Sequence, residues 1–283
     1  MIHTITISPT GILKDYIAYL AFREFDSYQE VLLKPMPAKH EIHMMLMINS
    51  KMHGFQNSKN HKIQQNVEAD CNFSGLLTTI KGSIVFKGHV TLLTIHFKPT
   101  GFYRLFGIAP SKINDCLGDA RDLFSNHITT LHEQLHDAKT TQEMFWLTEQ
   151  FLIEKLRSQK ANYDCCSILK VSNFLVNQPR IHSIKQLAHH TNMSLKTFER
   201  KFTEQVGLSP KLFYRIKRFN EALDMKLNQP QLSWTNICHQ FGYYDQTHLV
   251  KDFYAFTDEA PSTFFKNTPP PIEQISSIYE SEG

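Results

Sequence analysis

Along the first hundred residues the apolar positions come in short or alternating runs. EIHMMLMIN (41–49), GSIVFKG (82–88) and HVTLLTIHF (89–97) are separated by Gly, Asn and Lys clusters, which is the pattern of strands and turns. From about Pro99 the period lengthens. TGFYRLFGI reads as a short helix ended near Gly107, and the stretch 140–157 places Met144, Leu147, Phe151 and Leu156 at near-helical spacing. A boundary is predicted at 158–164 (SQKANYD). Beyond it the pattern is almost wholly helical until the prolines at 269–271, and the polar, acidic end is expected to fray. The expected class is α+β: a β-rich domain with trailing helices over 1–160, an all-α domain over 165–268, and a flexible tail over 269–283.

The helical half contains an internal echo. FTEQVGLSP (202–210) returns as FYAFTDEAP (253–261), with Phe and Pro at the same separation and a similar helical segment before each. The first unit runs from Ser183 to Thr203. Ser183 is a plausible N-cap; Ile184, Leu187 and Ala188 form one apolar face, small enough at Ala188 for two helices to cross closely. Asn192 falls in the turn, where its tolerance of positive φ is useful. Ser194 then caps a second helix whose Leu195, Phe198 and Phe202 point inward. Lys196, Thr197, Glu199, Arg200 and Lys201 are left facing outward. In the second unit, 234–254, Ile237, Cys238 and Phe241 make the first-helix face, Gly242 supplies the turn and Asp245 the cap. Leu249 and Phe253 pack inward, while Gln246, Thr247, His248 and Lys251 face out. Between the units a long helix carries a stripe of Leu212, Ile216, Phe219, Leu223 and Leu227, with Arg215, Lys217 and Arg218 away from it.

Two helix-turn-helix units in tandem suit DNA. The second helix of each enters a major groove, where Arg bonds guanine bidentately and Glu accepts from cytosine. If both enter one face of the duplex, they stand about 34 Å apart, one helical turn.

Charge agrees with this without deciding it. The net charge is only +3, but 170–268 holds 13 Lys+Arg against 8 Asp+Glu, so the positive excess sits in the helical half. The 21 Phe and 10 Tyr give enough apolar area for a real core and exclude a disordered chain. No apolar run approaches the roughly 20 residues of a membrane span, so no membrane association is expected. The start, MIHTITISPTG, lacks the basic and apolar regions of an export signal, which predicts a cytoplasmic protein. Five cysteines without CxxC spacing predict reduced thiols. His40, His43, His89 and His96 suggest a metal-binding cupin, but the paired His with a spaced Glu is missing. No phosphate loop, GxSxG elbow or Cys-His pair is present, and no cysteine stands in the Pro-Cys-His setting of a DNA-repair methyltransferase. No enzymatic activity, cofactor or metal is expected, and Cys71 reads as a small hydrophobe.

The segments SIKQLA, Ser194 with FERKF, GLSPKLFYRIKRFNEAL and FGYYDQTHLVKDFYAFTDEAP together resemble the AraC/XylS family of transcription regulators over 181–266. The resemblance implies two helix-turn-helix units joined by a long helix. It places DNA contacts on Lys196, Glu199 and Arg200 and on Gln246, Thr247, His248 and Lys251. It also implies double-stranded promoter DNA as partner, contact with RNA polymerase, activation more often than repression, and a sensory or dimerisation domain ahead, responding to a small-molecule effector or forming a homodimer. Three positions depart from the family pattern: Cys238 for the usual Ala, Asp258 for Gly, and Lys251 for Arg. Lys lacks the bidentate fork, so the second unit is expected to rely more on phosphate and the first to carry more of the specificity. HFKPTGFYRLFGIAPSKIND (96–115) resembles the N-terminal domain of an AraC-type subgroup with no known effector. In the wider family that position holds a β-rich, cupin-like domain.

Overall fold

The computed structural model describes residues 2–27, 32–49, 54–57, 63–64, 70–159, 166–178 and 183–267. Most of the expected 158–164 boundary and the tail from Pro269 lie outside them.

Among the described residues ten strands form two antiparallel sheets. They are β1 (Ile2–Ile7), β2 (Ile17–Asp26), β3 (Leu32–Pro35), β4 (His43–Met47), β5 (Gly54–Asn57), β6 (Ile63–Gln64), β7 (Cys71–Ser74), β8 (Gly82–Phe86), β9 (His89–Phe97) and β10 (Leu117–Asp119). The larger sheet has the order β1-β2-β9-β4-β7-β10 and the smaller β3-β8-β5-β6. Because side chains alternate along a strand, the larger sheet has two different faces. Leu20, Phe22, Met44, Leu46, Leu93, Ile95 and Phe97 form one, which packs against helices. Phe25, Met45, Met47 and Leu92 form the other, against Ile84 and Phe86 of the smaller sheet. Strand β9 is buried on both faces from Val90 on, which is why its sequence is apolar almost throughout.

The helices are α1 (Gly101–Phe106), α2 (Arg121–Phe124), α3 (Asn126–Asp137), α4 (Thr141–Ser158), α5 (Cys166–Asn177), α6 (Ile184–His190), α7 (Leu195–Val206), α8 (Pro210–Asn228), α9 (Trp234–Gln240), α10 (Gln246–Thr257) and α11 (Pro261–Asn267). Helix α1 ends where predicted, with Gly107 left-handed at φ 69°. The region after Pro99 is not all helix, however. Gly118 and its neighbours add β10 to the edge of the larger sheet beside β7, a pairing three residues long that no periodicity can announce. Among the described residues no helix is long and apolar enough to cross a membrane.

The β-rich and helical halves share one hydrophobic cluster, which runs from Leu20 and Ile95 through Phe102 and Leu152 to Phe202, Phe219 and Phe253. Polar contacts lie over it. Asn220 of α8 donates through Nδ2 to the Ala38 carbonyl (2.7 Å), and its Oδ1 accepts from the His40 amide (3.3 Å) and lies 2.7 Å from His40 Nδ1. The Ala38 amide donates to the Phe256 carbonyl of α10 (3.1 Å). At the end of α7, Gly207 adopts φ 102° and its carbonyl accepts from Asn114 Nδ2 (2.6 Å).

Candidate DNA-binding surface

The first unit is α6, a turn and α7. Ser183 Oγ accepts from the Lys185 amide and Ser194 Oγ from the Thr197 amide, 3.2 Å each, so both helix starts are capped by the residues the sequence named. Asn192 takes φ 54° between them. Leu187, Ala188, Phe198 and Phe202 are buried, while Ile184 and Leu195 are only half-buried. Lys196, Glu199 and Arg200 are exposed as expected. Arg200 is held loosely by Glu204, 3.6 Å away one turn on. Thr197 differs: it is half-buried, and its hydroxyl lies 2.9 Å from Ser194 Oγ within the cap. Lys201 is half-buried too.

The second unit is α9, the turn at Gly242 (φ 68°) and α10. Asp245 caps α10, accepting from the His248 amide (2.9 Å) and lying 3.0 Å from His248 Nδ1. The His248 amide bond is the chief reason that the Asp245 carboxyl is held below the usual carboxylate range. Gln246, Thr247, His248 and Lys251 are exposed. Gln246 is not idle: its Nε2 donates to Thr235 Oγ1 of α9 (2.6 Å), which fixes its reach. Tyr244 was not singled out by the sequence, yet it is 91% exposed beside the start of α10, its ring edge-on to His248 at 5.8 Å. The doublet of tyrosines was its one signal, since Tyr243 goes inward.

Helix α8 joins the units and corrects one expectation. Its buried face is Phe213, Ile216, Lys217, Phe219, Asn220, Ala222 and Leu223, with Leu212 and Leu227 only half-buried. Lys217 thus lies inside rather than away from the stripe. Its ammonium donates to the Gln178 carbonyl (2.8 Å) and pairs with Glu221 at 2.7 Å, which makes burial of the charge tolerable. Arg215 and Arg218 both reach the buried carboxylate of Asp252 on α10, at 2.7 and 3.0 Å. The Arg218 guanidinium also lies 3.8 Å from the centre of the Tyr243 ring. Phe219 packs edge-on to Phe253 and tilted on Phe256, at 5.2 Å each.

The region 187–267 matches the model of a family described as a helix-turn-helix domain. The chain carries a helix-turn-helix domain. An uncharacterized HTH-type transcriptional regulator of Haemophilus influenzae is 30% identical over 122 residues, 43% of this chain and 38% of that protein. The chain therefore covers well under half of that relative's length. Among solved structures the chain is similar to ToxT from Vibrio cholerae O395, at 10% identity and TM-score 0.46 over 87% of this chain and 97% of that one. It is also similar to the AraC-like transcriptional activator CuxR, at 12% identity and TM-score 0.25, over 78% and 87%. Both likenesses are too low to assign any residue or ligand.

The four histidines named from the sequence do not converge on a metal. His43 and His96 stack at 5.3 Å inside the sandwich, His40 turns to α8, and His89 sits 3.2 Å from Glu24 at the surface. Among the described residues no group of three or more His, Cys, Asp or Glu is placed to hold one. Burial pushes the Cys71 thiol up to about 12, away from nucleophilic use.

Proposed function

We propose that the protein is a sequence-specific DNA-binding transcription regulator that reads two adjacent major grooves with α7 and α10. The observation that carries this reading is the pair of capped recognition helices, one buried through Phe198 and Phe202 and the other through Leu249, Phe253 and Phe256, each polar on its free face, on either side of α8. Lys196, Glu199 and Arg200 contact bases from the first unit. Thr197 stiffens the helix start more than it reads sequence, because its hydroxyl is engaged with Ser194. In the second unit Thr247 and His248 approach base edges, Lys251 meets phosphate, and Gln246 braces α10 against α9. The β-rich half regulates this reader through a small molecule or self-association, and the output is activation through RNA polymerase. A ligand does this only if it binds the DNA-competent and incompetent arrangements with different affinity.

Selection of binding sites from random duplex DNA tests the proposal. Two informative blocks about one helical turn apart are the expected result. Affinity that falls with salt but shows no sequence enrichment would reduce the domain to a non-specific cation.

A further inference from the structure

The two helix-turn-helix units can be laid over each other, and their frames part in the turn. In the first unit the Met193 amide donates to the Ala188 carbonyl (3.4 Å); in the second the Tyr243 amide donates to the Cys238 carbonyl (2.9 Å). A left-handed residue stands just before each donor, Asn192 at φ 54° and Gly242 at φ 68°. The helix caps then fall out of step. Ser194 follows Met193 directly, whereas Asp245 follows Tyr243 only after an added residue, Tyr244. Tyr243 fills the inward place of Met193, so Tyr244 is required neither by the turn nor by the core.

The chain around the added residue is pinned. Tyr243 is buried against the Arg218 guanidinium, 3.8 Å from its ring centre. Asp245 caps α10, and its carbonyl accepts from the Cys238 thiol at 3.7 Å. Gln246 is tied to Thr235 of α9. Tyr244 itself is 91% exposed, and its ring stands across that of His248, at 82° and 5.8 Å between centres. The His248 ring is steadied in turn by Asp245, 3.0 Å from Nδ1. The direction of the Tyr244 ring is thus set from both sides. A large ring in water is apolar surface that gains from being covered, and this one sits at the end of α10 that leads into a groove.

We propose that the Tyr244 ring packs on the 5-methyl group of one thymine in the half-site read by α10, and so selects thymine at that position. Every base pair offers donors or acceptors in the major groove, and the thymine methyl is the one apolar group there. Thr247, His248 and Lys251 supply the polar contacts of this helix, which leaves the aromatic face for the methyl. The inference rests on the reading that α10 lies in a major groove, and it adds a base preference to that reading.

The test uses the full chain and the site that selection yields. Each thymine of that site is replaced in turn by deoxyuridine, which lacks only the 5-methyl group, and Kd is measured by fluorescence anisotropy. For the parent, one replacement should weaken binding by about fourfold, the worth of one buried methyl. Tyr244→Ala should bind the thymine duplex about fourfold less tightly and lose that response, its two duplexes binding alike. Tyr244→Phe should keep it. At 91% exposure neither change removes packing, so both variants should keep the parent's thermal midpoint. A response that survives Tyr244→Ala, or no response at any thymine, would overturn the contact. Loss of the response in Tyr244→Phe would overturn it too, since the hydroxyl and not the ring would then make the contact. In each of these outcomes a preferred site remains and the regulator reading stands. A chain that selects no site at all would take both readings down together.

Discussion

The two recognition helices are built alike but fastened differently. Helix α7 is held by apolar packing of Phe198 and Phe202, and its far end is clasped by the β-rich half. There the Tyr103 hydroxyl donates to Glu204 (3.3 Å), and Gly207 sits against Leu76, Pro110 and Asn114. Helix α10 is packed through Leu249, Phe253 and Phe256 and adds a buried carboxylate, Asp252, shared by two arginines of α8. Among the described residues its hydrogen-bonded tie to the β-rich half is one backbone bond, from the Ala38 amide to the Phe256 carbonyl. The difference teaches that a disturbance in the β-rich half should tilt the first reading head more than the second, while a disturbance in α8 should do the reverse.

The largest effect should come from the carboxylate. Asp252→Ala leaves two guanidiniums facing an empty buried site; with Arg215 partly in water, the loss is about 3 kcal/mol of stability. Chemical denaturation measures it, and site selection should lose the block read by α10 before the block read by α7. Equal damage to both blocks would refute separate fastening. Gly207→Ala comes next. Its φ of 102° is unfavourable for any other residue, and a Cβ there would lie 2.7 Å from Leu76 Cδ1 and 2.8 Å from Pro110 Cβ. A loss of about 1–3 kcal/mol is expected, with the first block weakened selectively.

The remaining predictions sharpen the contrast at the DNA. Arg200→Ala should weaken binding by about 1–3 kcal/mol and relax preference at one base pair; an equal loss on random DNA would make Arg200 a phosphate contact. Lys251→Ala should cost less, act nearly uniformly across sequences and lower the salt slope by about 1, as competition titrations at several salt concentrations would reveal. The smallest effect is in acid. Asp245 is held below its ordinary range in the folded state, so its capping contribution is full above the unfolded value of 3.8 and is lost as pH falls below it. Amide exchange at the start of α10 should therefore quicken below about pH 4, while that at α7, capped by a serine that does not titrate, should show no matching step.

Much of this interface was legible because capping and turn chemistry is local. Ser183, Ser194 and Asp245 declare helix starts, Asn192 and Gly242 declare turns, and all five do so within a few residues. Asp258, which departs from the family's usual Gly, takes φ 62° at the end of α10, as its tolerance of that region allows. What the sequence hid depends on distant partners. Lys217 looks like a surface cation until Gln178 and Glu221 are seen to meet its ammonium. Thr197 looks like a freely outward side chain until its hydroxyl is found 2.9 Å from Ser194 Oγ in the cap.

The continuous cluster joining Leu20 and Ile95 to Phe219 and Phe253 bears on how the molecule fails. Because the halves share this cluster, loss of order in one removes packing from the other, while the β-rich half keeps a second cluster of its own between its two sheets. Unfolding of the two halves is then coupled. A single methyl deleted deep in β9 would lower the fraction of molecules able to grip DNA without touching a residue that meets it, so genetic lesions scattered through the sandwich would mimic lesions in the reading heads.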